Sequence, residues 1–124
     1  MNKTRPKHLA LHLIKLPLPG VVSILHRISG MLLFFALPLL LWMLQYSLRS
    51  IETYSELTEY LQQPYSKIFL LAMLWAFLHH FCAGLRFLAI DLHYFDNLAM
   101  ARNSSKLVLV VSLGLTLYIG VKLW

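Results

Sequence analysis

The sequence predicts an all-α membrane protein of three transmembrane helices, led by a basic N-terminal interfacial arm. Three observations predict it. Of 124 residues, 59% are hydrophobic and only 13% are charged, more apolar surface than a soluble domain of this size can bury. The apolar residues gather into three runs, about 21–46, 65–92 and 107–123. Crossing a hydrocarbon core of about 30 Å takes roughly 17–25 residues, so each run is long enough to span. Trp42, Tyr46 and Trp124 stand at run ends, where interfacial aromatic side chains belong.

Residues 1–20 form the arm of a single membrane domain. It carries Lys3, Arg5, Lys7 and Lys15, and Pro6, Pro17 and Pro19 discourage one continuous helix. The first span contains Pro38, which is expected to kink it. Residues 47–64 are a polar connection whose Glu52, Glu56 and Glu59 suit either a short surface helix or a solvated loop. The second span follows, then a connection over 93–106. The third span has Gly114, Thr116 and Gly120, small residues that let helices approach.

The formal net charge of +6 raises a nucleic-acid partner, but the basic residues flank the spans rather than forming a phosphate-binding face. Lys3, Arg5, Lys7, Lys15, Arg27, Arg86, Arg102 and Lys106 fall on the N-terminal side, and Arg49, Lys67 and Lys122 on the other. That asymmetry predicts a cytoplasmic N-terminus, with membrane lipid and membrane proteins as neighbours and no nucleic acid. The first apolar run is too long for the core of a cleavable signal peptide. One cysteine, Cys82, excludes an internal disulfide and a multi-cysteine metal site, and it reads as a small buried hydrophobe.

Two stretches carry polar groups at membrane depth, where they are costly and usually functional. The first is Ser23-Ile-Leu-His-Arg-Ile-Ser-Gly30. Ser23 and Arg27 are four residues apart and share a helix face. Together they would hold a quinone carbonyl or a carboxylate; alternatively Arg27 snorkels to headgroups and Ser23 bonds its own backbone. The second stretch is Phe77-Leu-His-His-Phe-Cys-Ala-Gly-Leu-Arg-Phe-Leu-Ala-Ile-Asp91. Helical spacing puts His80, Gly84, Phe87 and Asp91 on one stripe and His79, Ala83 and Arg86 on the next. His80 suits a haem axial ligand, a proton relay or an interhelical hydrogen bond, and Gly84 suits macrocycle clearance or a helix contact. His79 reads as a satisfied structural histidine, and Arg86 and Asp91 as mutually neutralising or interfacial.

These residues resemble the cytochrome b556 membrane-anchor family of bacterial succinate dehydrogenase. The likeness covers most of the chain. It includes Arg5-Pro6, Leu9-Ala-Leu11, Leu16-Pro17, the Ser23–Gly30 motif, His80-Phe-Cys-Ala-Gly84-Leu-Arg86 and Asp91. The resemblance implies a multi-pass subunit of the bacterial inner membrane with no catalytic residue of its own. It implies partners: a flavoprotein subunit, an iron–sulfur subunit and a second membrane anchor. By resemblance, His80 is the axial ligand of a haem b shared with that second anchor, and Gly84 gives the haem clearance. Ser23, Arg27 and Ile24 belong to a ubiquinone site, and His26 and Arg27 lie near the haem propionates. Family members often carry a histidine where this chain has Phe87, which makes an apolar wall there instead. Competing readings are a fumarate reductase anchor, or a structural membrane accessory subunit without redox role.

Overall fold

The computed structural model describes residues 15–94 and 97–124, so Lys3, Arg5, Lys7 and the rest of the arm before residue 15 lie outside the described residues. Four helices form: α1 (Leu18–Ser47), α2 (Ile51–Leu61), α3 (Pro64–Asp91) and α4 (Leu98–Leu123). No strand occurs among the described residues. Helices α1, α3 and α4 are each long and apolar enough to cross a membrane, so the expected all-α, three-span, multi-pass architecture holds.

Local chemistry sets the helix starts. Pro19 stands in the first turn of α1 and Pro64 opens α3, positions where the missing N–H has no helical partner to lose. Ser50 caps α2 by accepting from the Thr53 N–H at 3.2 Å, and Thr53 Oγ1 accepts from the Ser50 N–H at 3.1 Å. That reciprocal cap makes the glutamate-bearing connection a surface helix rather than a loop. Helix α1 runs through Pro38 without interruption.

The last long helix starts at Leu98, ahead of the apolar run expected from 107. Asn97 caps it, its Oδ1 accepting from the Met100 N–H at 2.8 Å. Ser104 and Ser105 donate to the Ala101 carbonyl at 3.1 and 2.8 Å. Polar side chains thus turn inward and serve the helix, and the expected connection contributes its first turns. At 26 residues α4 is about 39 Å long.

Helix α3 packs against both α1 and α4. Its Ala76, His79, Ala83 and Arg86 are buried, one stripe at spacings of three and four. Helix α4 answers with buried Ser105, Val108, Ser112, Thr116 and Gly120. A Cβ on Gly120 would lie 2.7 Å from Leu71 Cδ2, so glycine allows that close approach. Gly114 has open space instead and takes no part in the contact. The apolar core is small, Val22, Ala83 and Val108 with half-buried Cys82, Phe87 and Leu109 around them. Large apolar side chains face outward along the spans, among them Phe34, Phe35, Phe77 and Leu117. In a bilayer that outward face is covered by lipid or by other subunits.

Candidate functional site

The site is built where α1 meets the His80 stripe of α3. His80 Nδ1 lies 3.0 Å from the backbone carbonyl oxygen of His26 and 3.2 Å from Ser29 Oγ. The Ser29 hydroxyl donates to the same carbonyl at 2.9 Å. A carbonyl oxygen can only accept, so Nδ1 carries the proton and donates it to His26 O. The other ring nitrogen, Nε2, keeps its lone pair. It makes no hydrogen bond among the described residues and is not a buried orphan atom. A neutral imidazole held this way is set up to coordinate a metal through Nε2.

The ring is seated as well as bonded. A Cβ on Gly30 would lie 2.8 Å from His80 Cε1 and 3.2 Å from Nδ1, so the imidazole occupies the space that glycine leaves. The His26 ring stacks on His80 with centroids 4.1 Å apart and planes 10° from parallel. Phe87 packs against the other reach of His26 at 5.1 Å and 56°. A Cβ on Gly84 would make ordinary contact, 3.7 Å, with His26 Nε2. His80, Gly84 and Phe87 therefore form one continuous surface of α3 that His26 covers in part, as their common stripe predicts.

Ser23 is half-buried, Ile24 and Arg27 are exposed, and helical spacing sets Ser23 and Arg27 beside His26 and Gly30. Ser29, Ser47, Ser104, Ser105 and Ser112 all donate to carbonyls of their own helices. Ser23 makes no such bond among the described residues. Arg27 likewise has no hydrogen bond or ion pair among the described residues. At about 1.5 Å per residue, Ser23 stands about 10 Å closer to the N-terminal end than Gly30. The structure thus gathers one fixed imidazole, one stacked imidazole, and a hydroxyl and a guanidinium without hydrogen-bond partners among the described residues along one side of α1.

One expectation on α3 is corrected, that of Arg86. His79 is a buried structural residue, its ring 0% exposed; the Val22 backbone lies against it, and neither nitrogen makes a well-formed hydrogen bond among the described residues. It lies stacked on Trp75 at 5.2 Å, whose Nε1 is also buried and has no partner among the described residues. Arg86 does not neutralise Asp91. It is 6% exposed, and its Nε donates to Ser104 Oγ at 2.9 Å and its Nη2 to the Ala101 carbonyl at 3.2 Å. Asp91 is exposed. The Ser23–Gly30 motif carries Ser29 and Gly30 without a role in the sequence; the α1–α3 register brings both against the His80 ring.

An opening of about 720 Å³ lies at the other end of the bundle between α1, α2 and α3. Its walls are apolar, with Leu40, Met43, Phe69 and Met73, and Tyr46 donates to Glu56 at its edge at 2.7 Å. It shares no residue with the His80 cluster.

Residues 1–119 match the family of succinate dehydrogenase/fumarate reductase transmembrane subunits. The chain belongs to that family. It is 36% identical over 125 residues to the succinate dehydrogenase cytochrome b556 subunit of Coxiella burnetii, covering 100% of both chains. The subunits of the same name from Rickettsia felis and Rickettsia conorii are each 32% identical over 117 residues, covering 94% of this chain and 91% of theirs. The three-span bundle is accordingly a membrane-anchor subunit of succinate dehydrogenase, complex II.

Proposed function

We propose that this anchor binds haem b through His80 Nε2 and borders a ubiquinone site with Ser23, Ile24 and Arg27. The observation that carries the proposal is the Nδ1–H of His80 donating to the His26 carbonyl at 3.0 Å. That bond sets the tautomer and leaves a lone pair at Nε2, the arrangement metal-bound histidines use. The family membership and the cytochrome name of the relatives support the same reading. When bound, haem b supplies a one-electron carrier whose potential the protein tunes.

The chain's own residues divide the work. His80 would hold the haem iron through one ring nitrogen, and a second anchor subunit would supply a further ligand, since the α3 stripe presents one accessible imidazole. Gly84 keeps the α3 surface low beside the ring. His26 and Arg27 stand on the neighbouring face of α1 to meet propionate carboxylates. The free Ser23 hydroxyl and the Arg27 guanidinium donate hydrogen bonds to a quinone oxygen, where a fixed cation also favours developing negative charge. Ile24 gives that pocket an apolar wall.

The N-terminal end faces the cytoplasm of a bacterial inner membrane. There it meets the iron–sulfur subunit, which passes on electrons taken from succinate by the flavoprotein subunit. The test uses whole complex in membranes. His80→Ala should abolish the b-type reduced-minus-oxidised spectrum, and an unchanged spectrum refutes ligation. Arg27→Leu should depress quinone reduction more than succinate oxidation by an artificial acceptor. Equal losses would overturn the quinone assignment.

A further inference from the structure

We infer that Ser29 and Gly30 of α1 are positioning residues for His80, holding the ring and the tautomer in which Nε2 can ligate; this rests on the haem reading above. The two residues act on different degrees of freedom of one side chain. Ser29 is 1% exposed, and its hydroxyl lies 3.2 Å from Nδ1 while donating to the carbonyl that Nδ1 also meets. It therefore closes a three-membered polar cluster on the side of the ring away from Nε2. Without it, the carbonyl is the one remaining partner that orients the ring by hydrogen bonding. Gly30 sets position. The added Cβ of an alanine would come 2.8 Å from Cε1, closer than non-bonded carbons tolerate. The atom that must give way is the tip of the His80 side chain and not the backbone of either helix. The substitution thus displaces the imidazole while leaving the helix pair its packing.

The geometry also separates these residues from the other small residues in the spans. A Cβ on Gly84 would make only ordinary contact, and one on Gly114 would meet nothing within 4 Å. Ser105 and Ser112 bond only their own helix. Ser29 and Gly30 alone among these residues contact the His80 ring.

The experiment compares Gly30→Ala, Ser29→Ala, Ser29→Thr and Gly114→Ala in the assembled complex. It reads haem retained per complex, the reduced-minus-oxidised spectrum and the haem midpoint potential, with assembly followed by native electrophoresis. Removing groups that orient a metal-bound histidine typically weakens binding about 10- to 100-fold. Gly30→Ala should lose haem on that scale, with an altered spectrum, while Gly114→Ala retains both. Ser29→Ala should shift the midpoint potential, and Ser29→Thr, which restores the hydroxyl, should return it. If Gly30→Ala fails to assemble, the Ser29 pair carries the decision. Parental haem content, spectrum and potential in both Gly30→Ala and Ser29→Ala would overturn the inference. Should His80→Ala keep its haem, the haem reading itself falls; should it lose haem while these variants do not, only the positioning role falls.

Discussion

Replacing Ser104 with alanine tests how α4 is held to α3 at the N-terminal end of the bundle. Arg86 is 6% exposed and donates to Ser104 Oγ at 2.9 Å and to the Ala101 carbonyl at 3.2 Å. No carboxylate pairs with it among the described residues. Interhelical hydrogen bonds in membrane proteins average about 0.6 kcal/mol and reach about 1.7, whereas bonds to charged groups are worth roughly 1.5–3. A buried cation with no anion partner belongs where those ranges meet, so Ser104→Ala should cost about 1.5 kcal/mol. That is about tenfold in a local opening equilibrium. Amide exchange of residues 98–106, followed in the detergent-solubilised complex, should accelerate by that factor. Arg86→Met removes the demand along with the donor, and such replacements are often close to neutral. In the Arg86→Met background, Ser104→Ala should therefore change exchange little, because the serine's own bond to Ala101 is the one that remains. Equal acceleration in both backgrounds would show that the serine acts through its own helix and would refute the clamp.

Three further outcomes follow from local geometry. His93 ends α3 at φ 62°, with its N–H on Ile90 O at 2.9 Å and the Tyr94 N–H on Ala89 O at 3.0 Å. This is a Schellman turn with a side chain where glycine is favoured, so His93→Gly should stabilise the complex by about 1 kcal/mol; a lower melting temperature would contradict this. His79→Leu removes a buried ring whose nitrogens make no well-formed hydrogen bond among the described residues, an arrangement costing about 1–3 kcal/mol, and should raise the melting temperature without altering the haem spectrum. A fall would mean that the ring has a partner in the full complex. Hydrogen bonding from Ser50 holds the Glu52 carboxyl below its ordinary value of 4.5. Its contribution to α2 is therefore present above that value and is lost as pH falls through the depressed one. Carbon-13 titration should show the Glu52 midpoint rising in Ser50→Ala; an unmoved midpoint would refute the linkage.

The parts of this molecule that could be read from one dimension are those with a local signature. Apolar length disclosed the spans. The helical period separated the His80 stripe from the His79, Ala83 and Arg86 stripe, and burial of the latter follows that division. His80 and Arg27 announced themselves because polar atoms at membrane depth are expensive. What stayed hidden depends on register between helices. Arg86 reaches Ser104 and Ala101 only because α3 and α4 are antiparallel at a particular offset, and Asp91 seemed the nearer partner along the chain. Ser29 and Gly30 are small residues whose contact with the His80 ring exists only once α3 is laid against α1. The early start of α4 was masked by polarity, since serines that face inward look like loop residues until their acceptors are known.

Ligand rescue at position 80 tests the central claim most directly. In complex carrying His80→Gly, added imidazole should enter the vacated space, supply the missing nitrogen and restore a b-type reduced-minus-oxidised spectrum that the variant lacks without it. A variant that keeps its haem spectrum without imidazole would contradict the assignment of His80 as the ligand on which this site is built.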